Sequence, residues 1–161
     1  AASDVYKRQR EALVIEAFAY AMDRSMEHWR KQSDQVAPEK QFAQIVETYL
    51  SALHRDNPGH GCSIAALGAE IARESPKARK AFAGKLDEMV ELLTDFIPTM
   101  PRKAARKQAI ATLATMAGTI LLARIAGSSE LSDEVLRAGR DSALEGAKRE
   151  PKATAKKAKQ N

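Results

Sequence analysis

The sequence predicts an all-α protein, a bundle of about six helices, and three observations predict it. Apolar residues recur at three- and four-residue steps along most of the chain. Alanine is abundant while aromatic residues are only 5% of the total, a mixture that suits packed amphipathic helices better than sheets. Proline, glycine and serine fall between these periodic stretches rather than inside them. A chain of 161 residues, 44% hydrophobic, is long enough to bury one real core and too short for a second independent domain.

The first periodic stretch covers residues 10–32, where Leu13, Ala17, Phe18, Ala21, Met22, Met26 and Trp29 form one stripe. After the polar break at Ser33, Asp34 and Gln35, Pro38 suits a first helical turn. Phe42, Ile45, Val46, Tyr49, Leu50 and Leu53 make a second helix that is expected to end near His54. Residues 54–61 contain Asn57, Pro58, Gly59 and Gly61 and read as a loop. Ser63 can cap a short third helix through Ala72. Ser75 and Pro76 open a fourth, carrying Phe82, Leu86, Met89, Val90, Leu93 and Phe96 and stopping at Pro98. Residues 102–125 are the most apolar helix, with Ala109, Leu113, Met116, Ala117, Ile120, Leu121 and Ile125 on one broad face and Ala114 and Gly118 keeping it slim. Gly127 ends it. A last helix starts at Ser132, with Asp133 and Glu134 at its positive end and Val135, Leu136, Ala143 and Leu144 on its apolar side.

Charge is distributed unevenly. Lys148, Arg149, Lys152, Lys156, Lys157 and Lys159 against Glu150 carry the whole net charge of +5, so the body of the chain is neutral. A neutral body excludes a basic nucleic-acid-binding face, which needs cations displayed on a folded surface. The stretch 148–161 is expected to be a disordered basic tail. The single cysteine, Cys62, excludes an internal disulfide and any cysteine-pair zinc site, in keeping with a reducing cytoplasm. The run 110–125 is interrupted by Thr112, Thr115, Gly118, Thr119 and Arg124, so no membrane span is expected, and residues 1–10 lack a signal-peptide core.

Three patches carry a family resemblance. Arg10-Glu11-Ala12-Leu13-Val14 with Glu16-Ala17-Phe18 resembles the opening of the long linking helix of TetR-type transcriptional regulators. Gly61-Cys62-Ser63-Ile64-Ala65-Ala66-Leu67-Gly68-Ala69-Glu70 is similar to a glycine-cysteine, leucine-glycine-x-glutamate signature in one branch of that family. Met116-Ala117-Gly118-Thr119-Ile120-Leu121-Leu122-Ala123-Arg124, followed by Leu131-Ser132-Asp133-Glu134-Val135-Leu136, resembles the family's last two helices. The resemblance spans residues 10–147 and implies an effector-binding and dimerisation domain of a cytoplasmic regulator, a repressor released from DNA by a small hydrophobic ligand. It implies a homodimer through the last two helices, and operator contact only through the family's helix-turn-helix headpiece, which residues 1–9 do not supply. Those residues match no part of the family and are read as a non-native or disordered leader.

The resemblance and the apolar faces together select the candidate residues. For the ligand they are Trp29, Phe42, Tyr49, Cys62, Met89, Leu93, Phe96 and Met116, spread over helices whose apolar faces are wider than two-helix packing requires. A solid core would use the same residues. For the dimer they are Leu113, Met116, Ala117, Ile120, Leu121, Val135, Leu136 and Arg140. Cys62, with His60 and His54 nearby, invites a nucleophile or metal reading, but a nucleophile needs a base with an orienting partner and a metal needs three spaced ligands. A buried structural cysteine is preferred. Glu70 reads either as a ligand anchor or as a surface carboxylate. No catalytic residue, metal or cofactor is expected, since the chain lacks a Glu-x-x-His pair, a phosphate loop and paired carboxylates. The alternative function is a ligand-free helical scaffold or interaction module.

Overall fold

A computed structural model of the protein describes residues 2–148, and among them the chain is helical without a strand. The basic stretch from Arg149 onward lies outside the described residues.

Helix α1 covers Ala2–Ser33. It contains neither glycine nor proline, so the helix propagates back through residues 4–10, all exposed, instead of starting near Arg10. Phe18, Met22, Met26 and Trp29 form its buried face, while Leu13 remains exposed. The Ser33 hydroxyl donates to the Arg30 carbonyl at 2.8 Å, and Ala37 is extended ahead of Pro38, which ends the helix.

A short turn at Pro38–Lys40 leads into α2, Gln41–Tyr49. The second helix stops earlier than its apolar pattern suggests. Leu50 leaves helical geometry, and Ser51 recaps the chain by accepting from the His54 N–H at 3.2 Å, starting the separate helix α3, Ala52–Asp56. Leu53 consequently points outward. After a turn at Pro58–His60 comes α4, Ser63–Ile71. Its N-cap position is Cys62, and Ser63, expected to be the cap, is instead buried with its hydroxyl unpartnered.

Helix α5, Pro76–Asp95, starts as predicted, with the Ser75 hydroxyl accepting from the Ala78 N–H at 3.1 Å. The same hydroxyl donates to the Glu11 carboxylate, tying the start of α5 to α1. Helix α6, Arg102–Ala126, ends at Gly127, whose φ of 67° is the left-handed geometry that favours glycine. Helix α7, Glu130–Lys148, begins slightly before Ser132, with the Ser129 hydroxyl accepting from the Ser132 N–H at 3.2 Å.

Helices α6 and α7 form the most extensive pair, α5 packs on both α1 and α6, and α4 and α3 cross α6. Gly139 lets α6 and α7 approach closely: a methyl group there would lie 2.1 Å from the Thr119 hydroxyl oxygen. By length and composition α6 could cross a bilayer, contrary to the reading of its polar interruptions. Its Ala105, Ala109, Leu113, Met116, Ile120 and Ala123 are nevertheless buried inside the bundle, as in a core helix.

Candidate functional site

The α2 to α4 connection builds its geometry around one histidine. The Cys62 N–H can only donate, so at 3.0 Å it makes His54 Nε2 an acceptor. The proton therefore sits on Nδ1, which donates to the Tyr49 carbonyl at 2.6 Å. Arg124 of α6 donates to the His54 carbonyl at 2.9 Å and the Arg55 carbonyl at 3.1 Å, satisfying groups at the end of α3. Gly61 must lack a side chain here. A methyl group would come within 2.6 Å of His54 Nε2 and 2.8 Å of the Arg124 guanidinium.

Burial holds the His54 pKa below its ordinary 6.5, partly offset by the bond to Tyr49 and reinforced by Arg124 and His28. Its ring meets that of Tyr49 edge-on, centroids 4.5 Å apart, and Tyr49 meets Trp29 at 6.2 Å. Tyr49 is only 5% exposed, and its hydroxyl has no hydrogen-bond partner. Burial, with Cys62 beside it, pushes that phenol well above its usual range.

These aromatic groups wall a half-open cavity of about 460 Å³ between α1, the end of α2, α3 and the loop before α4. Helix α1 contributes a face stepping by turns, Tyr20, Arg24, His28 and Gln32, with Trp29 beside it; Tyr49 and Cys62 lie across. The size falls within the roughly 300–1,000 Å³ of small-molecule sites, and the wall mixes apolar and polar groups as such sites do.

Of the eight sequence-derived ligand candidates, Trp29, Tyr49 and Cys62 line this cavity. Phe42, Met89, Leu93 and Met116 are buried in the core away from it, and Phe96 is half-buried at the end of α5. These five do not line this cavity. What sequence reasoning missed is the polar side of the wall, Arg24, His28, Gln32, Thr48, His54 and Asn57. The signal was present in the i, i+4, i+8, i+12 spacing of Tyr20, Arg24, His28 and Gln32. Glu70 is exposed and lies 3.8 Å from Arg73, which makes it the surface carboxylate of the two readings. Both His54 nitrogens are committed to backbone groups, so His54 offers Cys62 no base.

A second feature lies on α6 and α7. Ile110, Leu121, Leu122, Ile125 and Leu131 are exposed, Ile125 to 73%. With Ala114 and Gly118 between them, they make an apolar stripe along one side of the bundle. Among the dimer candidates, Leu121 is on this stripe, and Ala117, Val135 and Arg140 are half-buried. Leu113, Met116, Ile120 and Leu136 are buried within the chain's own core. The reason is that α6 has two apolar faces, and its periodicity does not say which one turns inward.

No curated protein matches the chain. Residues 38–137 match the family model described as the C-terminal domain of LmrA/YxaF-like transcriptional regulators.

Proposed function

Because this chain belongs to the TetR-type regulators, in the branch whose C-terminal domain is LmrA/YxaF-like, we propose that it is the effector-sensing and dimerisation domain of a cytoplasmic transcriptional repressor. The observation that carries the reading is the half-open cavity of about 460 Å³ walled by Trp29, Tyr49 and Cys62. Cys62 contributes through its backbone and its bulk: its N–H fixes the His54 tautomer.

The mechanism follows from what surrounds the cavity. An occupant contacts α1 at Trp29 and the α2–α4 connection at Tyr49 and His54. It therefore biases the position of α1 relative to the remaining helices, provided it binds one position better than another. In the family α1 corresponds to the linking helix, so such a bias alters the spacing of two DNA-reading headpieces. The apolar stripe of α6 and α7 is the surface on which a second copy would seat, giving the two-fold arrangement that a palindromic operator requires.

The test is size-exclusion chromatography with light scattering on the chain, followed by a thermal-shift screen of small amphipathic compounds. A dimer stabilised by some of them, with Trp29 fluorescence perturbed, is the expected outcome. A monomer unmoved by every compound overturns the sensing role and favours a ligand-free scaffold.

A further inference from the structure

The cavity wall has a pronounced charge bias. Its ionisable members are Arg24, His28, His54, Tyr20, Tyr49 and Cys62, with no aspartate or glutamate among the lining residues. Of the carboxylates nearest in sequence, Glu47 is exposed on α2 and not among the lining residues, and three others have basic partners. Asp23 meets Lys85 at 2.8 Å, Glu27 meets Lys31 at 2.7 Å, and Asp56 meets Arg55 at 2.7 Å. Arg24 lies over the ring of Tyr20, 5.9 Å from its centroid, at the exposed mouth, and His28 follows one turn later on the same face. The lining also includes Trp29 and Tyr49, both buried. The wall thus combines donors and positive charge on exposed residues with aromatic surface on buried ones.

A cation would meet Arg24 without a carboxylate to offset the repulsion. A purely apolar molecule would leave Arg24 and His28 unused. We propose that the ligand is an amphipathic anion: an apolar ring system against Trp29 and Tyr49 and a carboxylate or sulfonate at Arg24 and His28. Guanidinium pairs carboxylate and sulfonate oxygens through two parallel N–H donors, and in a half-enclosed cavity such a bond is stronger than in open water. This assignment rests on the cavity being the effector site and adds the chemical class of the effector.

Trp29 is the chain's only tryptophan, so its emission reports the cavity directly. The experiment titrates the intact chain with two dyes that share one ring system, anilinonaphthalene sulfonate and its uncharged parent, N-phenyl-naphthylamine, following Trp29 quenching. The expected result is that the sulfonate binds at least ~10-fold more tightly, the scale of one charge-assisted pair. In the double variant Arg24→Gln, His28→Gln, both exposed positions on a helix, the advantage disappears. An unchanged circular dichroism spectrum and melting temperature show the fold to be intact. Equal affinities in the parent chain, or an advantage that survives the double variant, overturn the anionic assignment and leave the cavity standing. If neither dye quenches Trp29, both the assignment and the cavity as effector site fall.

Discussion

Tyr49 and His54 are neighbours with opposite degrees of satisfaction. The Tyr49 hydroxyl is buried without a hydrogen-bond partner, a condition that costs free energy in the folded protein. Tyr49→Phe is therefore expected to leave stability unchanged or raise it by up to about 1 kcal/mol, which chemical denaturation checks. His54 has both nitrogens occupied, and protonation would turn Nε2 from an acceptor into a donor facing the Cys62 N–H. Its folded pKa lies below the ordinary 6.5. The contribution is thus complete above 6.5 and is lost as pH falls through the lower folded value. A melting temperature that declines on acidification together with a His54 imidazole titrating below 6.5 by NMR is the expected pairing. A His54 titrating at or above that value would contradict the hydrogen-bond pattern.

Among the elements, α6 and α7 depend on a close approach that the sequence states only as one small residue among several. Gly139 faces Thr119, and any side chain there meets the buried Thr119 side chain. Gly139→Ala is expected to destabilise by about 1–3 kcal/mol through overpacking, despite the better helix propensity of alanine. Equilibrium unfolding in urea checks the sign, since propensity alone would predict a gain. Helix identity was legible because proline and glycine sit at the boundaries: Pro38, Pro76, Pro101 and Gly127 all mark real ends. The break at Leu50 was not legible. Leu53 keeps the apolar spacing of α2 while pointing to solvent, and only the Ser51 cap reveals the restart. The start of α1 was missed for the converse reason, because residues 4–9 show no apolar stripe yet contain nothing that stops a helix.

For the whole molecule, α6 has one apolar face in the core and another exposed, and the proposed dimer assigns association to the second. Met116 is fully buried and touches the common core, so Met116→Ala is expected to cost about 2–5 kcal/mol. Leu121 and Ile125 face outward, so the double change Leu121→Glu, Ile125→Glu is expected to leave the melting temperature of the protomer nearly unchanged and abolish dimers in light scattering. If the glutamate variant unfolds instead, the stripe belongs to the core. The sequence contained every residue of both faces, but a helix that is apolar nearly all round has no periodic signal for which side meets its own chain. The cavity was legible to the extent of its aromatic lining, Trp29 and Tyr49. Its polar lining was not, because Arg24 and His28 look like any solvated helix face until α3 is placed opposite.

Arg124 stands in both regions at once. Its guanidinium holds the carbonyls of His54 and Arg55 beside the cavity, and its backbone neighbour Ile125 is on the outward stripe. If a second copy seats on that stripe and a ligand fills the cavity as proposed, a ligand that shifts those carbonyls shifts an anchor of α6, and the copy that fixes α6 fixes those carbonyls in return. Mass action would then make the two equilibria inseparable: diluting the protein would change its apparent appetite for ligand, and saturating it with ligand would change the concentration at which it pairs.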